Sequence, residues 1–143
     1  MTRIAGYAAL FGVPDAARDT ILPGAFAATL AARYGPLPLH WQHRPTQRIG
    51  WVEHAEEDAK GLRVIARLDP ATRAASLLLN CAVSGLSFGY RARDYRMTEA
   101  GRELAEVELI EVSLVTHPLQ YSARVHWIDP PRNGEVAVAR QRR

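Results

Sequence analysis

Three places in this chain hold residues whose type and spacing could do chemistry. Gly85-Leu86-Ser87-Phe88-Gly89 sets a serine between two glycines, the G-x-S-x-G spacing that lifts a nucleophile out of a parallel sheet at a strand-to-helix turn. The residues that follow, Phe88 to Met97, alternate like a strand, and 143 residues are too few for a doubly wound hydrolase. As a lone pattern, Ser87 therefore also reads as a glycine-flanked serine at a tight strand entry. His40 and His43 stand three apart in HWQH. Zinc needs three or four ligands in ordered spacing, no HExxH is present, and the one cysteine, Cys81, sits in an apolar helical stripe. No metal is expected, and packing or surface histidines describe the pair better. His54, among Glu53, Glu56 and Glu57, and His126 read as solvated. The third place is the acidic run Glu106, Glu108 and Glu111 with Ser113. With five serines, five histidines and fifteen acids, counting alone selects no Ser-His-acid set, because a triad is defined by geometry and role.

The elements that must position these residues are mostly strands. Residues 3–11 read as a first strand, and a loop runs from Pro14 to Pro23. Pro23 suits a first helical turn, and the alanines from Ala25 to Ala32 favour a helix until Gly35 ends it. Pro36, Pro38 and Pro45 predict an extended, edge-like path for the segment that carries both histidines. On a continuous strand, positions 40 and 43 have opposite parity, so only one of them could face Ser87. Ile49–Glu53 and Leu62–Leu68 read as a hairpin turning near Asp58–Gly61. Asp69 is expected to cap a second helix with an apolar stripe of Ala74, Leu77, Leu78 and Cys81.

The rest of the chain is strand-rich, with a turn at Thr98–Gly101. Its apolar parity switches from Val107 and Leu109 to Ile110, Val112 and Leu114. A bulge at Leu109–Ile110 would place Glu106, Glu108, Glu111 and Ser113 together on the face opposite the core.

Composition bounds the answer. At 143 residues and 48% apolar content, one domain with its own core is expected, and disorder and collagen-like structure are excluded. A single cysteine excludes an internal disulfide framework and suits a reducing compartment. No export signal is read at the N-terminus. The longest uncharged stretch, Ala74–Tyr90, is too polar and too short to span a membrane. Of the net charge of +3, Arg132, Arg140, Arg142 and Arg143 against Asp129 and Glu135 place two units in the last fifteen residues. The body is nearly neutral, and Trp41, Trp51 and Trp127 do not alternate with arginine on one strand, so nucleic acid is not an expected partner.

Four segments, in order, resemble the prohead (capsid-maturation) proteases of tailed bacteriophages, whose fold is similar to the herpesvirus assemblin proteases. GYAALFGVPDAARDTILPGAF resembles the family's opening, LHWQHRPTQRIGWV its L-x-x-x-H-x-P-x-x-x-I-G box, GLSFGY its G-L-S-I-G-F/Y box, and LIEVSLVTHPLQYSARV its L-x-E-V-S-L-V close. Together they cover about residues 4–125. Leu119-Gln120 stands where the family has an Ala-Asn-like pair.

The resemblance implies an α+β, β-rich fold: a single-domain, antiparallel, barrel-like sheet flanked by short helices. It implies a protease domain over residues 1–128 and a Pro-rich, then basic, tail over 129–143. Ser87 becomes the nucleophile and Glu111 the residue that orients the base. The base is His43 rather than His40, since His43 is the one followed by Pro45 and Ile49-Gly50. The implied activity is that of a serine endopeptidase without metal or cofactor; it requires an oxyanion hole, for which backbone N–H groups in the loop after Thr116 are a candidate source that the sequence does not assign. The implied partner is the major capsid protein precursor or its scaffolding region, cut inside the assembling procapsid in the host cytoplasm; self-cleavage and a homodimer are compatible with it. A catalytically idle capsid-assembly or scaffold-binding domain of the same fold is the alternative. It predicts a lost catalytic position, and all three are filled.

Overall fold

Along residues 62–68 burial alternates residue by residue, with Leu62, Val64, Ala66 and Leu68 inward, as a half-covered strand requires. The same logic builds most of the chain. The computed structural model describes residues 2–129. The strands are β1 (Thr2–Leu10), β2 (Asp19–Ile21), β3 (Leu37–Trp41), β4 (Arg44–Glu57), β5 (Gly61–Leu68), β6 (Gly85–Thr98), β7 (Gly101–Val115) and β8 (Val125–Asp129). Two short helices, α1 (Ala27–Ala31) and α2 (Ala74–Leu79), interrupt them. One buried cluster, including Ile4, Phe26, Leu37, Leu39, Leu62, Leu86, Leu104 and Leu114, forms the core.

The strand order is β2-β7-β3-β4-β5-β1-β8, with β6 on β7. The path ends at β2 and β8, so the sheet is not closed into the expected barrel. It is also mixed rather than antiparallel, because β2 and β3 both run parallel to β7. Strand direction depends on how long connections return to the sheet, which local alternation does not encode.

The hairpin of β4 and β5 forms as its sequence predicts. Asp58 Oδ1 accepts the N–H groups of Lys60 at 2.8 Å and Gly61 at 3.1 Å, so its side chain closes the turn. The β6–β7 hairpin turns at Thr98–Gly101, also as expected.

Several local expectations are corrected. The loop from Pro14 to Pro23 contains β2, whose buried Asp19 accepts Arg102 Nε and Nη2, both at 2.9 Å, and the Tyr90 hydroxyl at 2.5 Å. That strand is held by distant partners that the local sequence does not display. Helix α1 is shorter than predicted and is preceded by a turn whose Gly24 and Phe26 N–H groups donate to Glu57 of β4 at 2.8 and 2.7 Å.

Strand β3 is not an edge: it lies between β4 and β7. Pro38 pairs with Trp51 of β4 alone, and the ladder to β7 begins at Leu39. The missing N–H thus falls where β3 has one neighbour.

Arg73, not Asp69, precedes α2, which has no side-chain cap. Asp69 instead accepts Arg48 Nη1 at 2.9 Å, while its N–H donates to Ile49 O at 2.8 Å. Cys81 lies beyond α2, exposed and with φ of 59°, so it belongs to no helical stripe. Asp129, read as the first residue of a loose tail, instead ends strand β8 and pairs with Arg3 of β1. Apart from Asp129, the expected tail lies outside the described residues.

Candidate active site

The site is built on the three adjacent strands β6, β7 and β3. Ser87 on β6 is the register partner of Ser113 on β7, and Ser113 is the register partner of His40 on β3. Paired residues point to the same side of a sheet, so the three side chains form one row on the face opposite Leu86, Val112, Leu114 and Leu39. Ser87 stands in the third position of a strand that continues to Thr98, which removes the strand-to-helix elbow and leaves the tight strand entry.

A bulge brings Glu111 onto that face. The β6–β7 ladder steps from Gly89↔Glu111 to Tyr90↔Leu109, leaving Ile110 without a partner and 44% exposed. The switch in parity is therefore real, and it turns Glu111 to the side of Ser113 while Leu109 and Val112 stay in the core. Gly89 leaves Glu111 its place: a Cβ there would lie 2.5 Å from Glu111 Oε1, so a larger residue would displace the carboxylate.

His43 arrives by a turn. After Trp41 the chain passes through Gln42 and His43, with φ of 52° and 59°, a left-handed conformation that non-glycine residues adopt only when their surroundings hold them. Gln42 N–H donates to Leu114 O at 3.0 Å. Its side-chain amide donates to Thr116 Oγ1 at 3.3 Å and accepts the Thr116 N–H at 3.2 Å. The turn breaks the strand between positions 40 and 43. The parity argument consequently fails, and both histidines approach Glu111.

The resulting network is specific. His43 Nδ1 lies 2.6 Å from Glu111 Oε1. The Ser113 hydroxyl donates to Glu111 Oε2 at 2.6 Å and accepts the His43 N–H at 3.1 Å. Glu111 is 6% exposed and Ser113 fully buried. A carboxylate placed in this way can accept Nδ1–H of the histidine, the tautomer in which Nε2 is the proton-accepting nitrogen.

Of the three residues singled out for catalysis, His43 and Glu111 are in hydrogen-bond contact. Ser87 shares their face, but among the described residues no hydrogen bond joins it to His43. Such bonds are often long before a substrate is present. Among the described residues no hydrogen bond or ion pair joins this network to His117, on the exposed loop after β7, or to Glu108, which is paired with Arg93. His54 faces Glu56 at 3.4 Å on the surface. Sequence reasoning placed Ser113 on this face without giving it a role; a serine two residues beyond a buried carboxylate on one strand is the signal it left unused.

The loop after Thr116 reaches the start of β6. Leu86 N–H donates to Ala123 O at 2.9 Å, one residue before Ser87. Gln120, 6% exposed, exchanges hydrogen bonds with Leu10 N–H at 2.7 Å and Leu10 O at 2.8 Å and donates to Val13 O at 3.0 Å. The departure at Leu119-Gln120 thus ties this loop to the end of β1.

Comparison with known proteins agrees with this architecture. The model of the caudovirus prohead serine protease family matches residues 1–133. The prohead protease of Enterobacteria phage HK97 is 30% identical over 128 residues, 84% of this chain and 57% of that protein. A capsid polyprotein of Pseudomonas phage PAJU2 is 27% identical over 124 residues, 78% of this chain and 18% of its own length. The chain therefore spans about half of the first relative and a fifth of the second. Among solved structures, the protease of Kaposi's sarcoma-associated herpesvirus, bound to a hexapeptide phosphonate inhibitor, has a TM-score of 0.65 at 15% identity, covering 91% of this chain and 65% of that one. The capsid assembly protease of bacteriophage T4 has a TM-score of 0.62 at 14% identity, covering 79% and 80%. The fold is herpesvirus-protease-like.

Proposed function

The chain belongs to the caudovirus prohead serine protease family, and from that premise we propose that it is a serine endopeptidase that trims a capsid or scaffold precursor during prohead maturation. The observation that carries the reading is the 2.6 Å contact between His43 Nδ1 and Glu111 Oε1 on the face that also bears Ser87. His43 Nε2 accepts the Ser87 hydroxyl proton as Oγ attacks the peptide carbonyl. It then returns that proton to the leaving amine, forming an acyl-enzyme and a new amine terminus. Water, deprotonated by the same nitrogen, releases the acid product and restores the serine. Glu111 stays ionised and stabilises the imidazolium in between. The 116–124 loop, tied to β6 beside Ser87, is the source we assign to the oxyanion donors.

Among the described residues no helix is long and apolar enough to cross a membrane, and the proposed place of action is the assembling procapsid. Co-expression with the capsid precursor from the same source, followed by mass measurement of the capsid protein, tests the reading. Wild type should yield a trimmed capsid protein and Ser87→Ala an untrimmed one. Trimming by Ser87→Ala would overturn the nucleophile, and no trimming by wild type would favour the catalytically idle assembly domain.

A further inference from the structure

We propose that His40 is a positioning residue of this site, holding Glu111 through the carboxylate oxygen that His43 does not use. The inference rests on the reading of Ser87, His43 and Glu111 given above. His40 lies in the same row as Ser87 and Ser113, and its side chain is 12% exposed. Its Nδ1 is buried without a hydrogen-bond partner and sits 3.7 Å from Glu111 Oε2.

A buried ring nitrogen strongly favours a partner, and the carboxylate has room for one. An ionised carboxylate accepts about four hydrogen bonds, whereas among the described residues Glu111 engages two partners, His43 at Oε1 and Ser113 at Oε2. A shift of under an ångström brings His40 Nδ1–H onto Oε2 beside the Ser113 hydroxyl. Two histidines then present Nδ1–H groups to one carboxylate, one on each oxygen. The plane of Glu111 is fixed, so Oε1 remains on His43 while the imidazolium forms and decays. His40 touches neither substrate nor the reacting atoms, and it acts through Glu111.

The two nitrogens of His40 can be replaced separately. The amide nitrogen of asparagine occupies the place of Nδ1, and that of glutamine the place of Nε2. Labelling of the full chain by an alkyl fluorophosphonate, followed by intact mass, reports activation of the serine without needing the natural substrate. His40→Ala and His40→Gln should each lower the saturating labelling rate about 10-fold, with the half-saturating probe concentration unchanged. His40→Asn should keep the rate within about twofold of wild type, an asymmetry that loss of packing alone does not produce.

Equal rates in His40→Asn and His40→Gln, or a wild-type rate in His40→Ala, would overturn the role. If His40→Ala fails to fold by circular dichroism, the Asn and Gln pair decides alone. Labelling of Ser87→Ala at the wild-type rate, or none of wild type, would instead overturn the catalytic reading and the role of His40 with it. An inert Ser87→Ala beside an unaffected His40→Ala would sink only the latter.

Discussion

His43 Nδ1 and Glu111 Oε1 lie 2.6 Å apart although the residues are 68 positions apart in sequence. Glu111→Gln keeps the size of the side chain and removes its charge, so it can no longer stabilise the imidazolium. The fold should persist and the rate should fall by up to ~10⁴, the scale seen when a serine-protease triad loses its carboxylate. The rate of serine phosphonylation by the fluorophosphonate checks this; a Glu111→Gln rate near wild type would remove Glu111 from the mechanism. Glu108→Gln should be mild, since Glu108 is engaged by Arg93 on the surface.

Gly89→Ala addresses the same carboxylate from the neighbouring strand. Its Cβ would sit 2.5 Å from Glu111 Oε1 and 3.1 Å from Glu111 Cδ. The carboxylate is the movable end of a side chain, so it should swing away from His43 and leave the backbone in place. We expect a folded protein with a labelling rate lowered about 10- to 100-fold, corresponding to loss of one charged hydrogen bond of about 1.5–3 kcal/mol. Retained activity with an intact melting transition would show that the pocket tolerates the methyl.

Acid stability should depend on Asp19. Arg102 foremost, and then the Tyr90 hydroxyl, hold its carboxyl below the usual carboxylate range. A folded value below the unfolded one contributes stability that is present above pH of about 4 and lost as pH falls through the lowered folded value. Asp15 acts oppositely, because burial raises its carboxyl and the folded state gains on protonation. The difference between wild type and Asp19→Asn isolates the first effect. The variant should lose about 2–4 kcal/mol at neutral pH, and the gap should narrow in acid. Urea titrations at several pH values measure it, and a gap independent of pH would argue that Asp19 contributes no charge.

The end of the domain should fall after Asp129 rather than before it. Strand β8 pairs Asp129, Ile128, Trp127 and Val125 with β1. A chain ending at Arg124 leaves the β1 edge open and uncovers Val125 and Ile128, which pack on the core. It should melt several degrees lower or precipitate, whereas a chain ending at Asp129 should melt like the full one and keep its labelling rate. Equal melting of the two truncations would make β8 dispensable.

Much of this was legible without coordinates, for a local reason. Side-chain alternation and turn chemistry act over a few residues, so the β4–β5 hairpin at Asp58, the β6–β7 hairpin and the bulge at Leu109–Ile110 could all be read from the order of residue types. The four family boxes singled out Ser87, His43 and Glu111, of which the structure joins His43 to Glu111. What the sequence did not determine depends on partners distant in the chain. Asp19 forms a strand because Arg102 and Tyr90 receive it, and β3 is internal because β7 returns beside it. His43 reaches the carboxylate beside His40 because two left-handed residues, braced by Thr116, fold the chain back. Ser113 gains its role only when strand register brings Ser87, His40 and the His43 turn around it. Cross-strand register and the sustaining of strained backbone are properties of the packed sheet, and tertiary structure alone decided them.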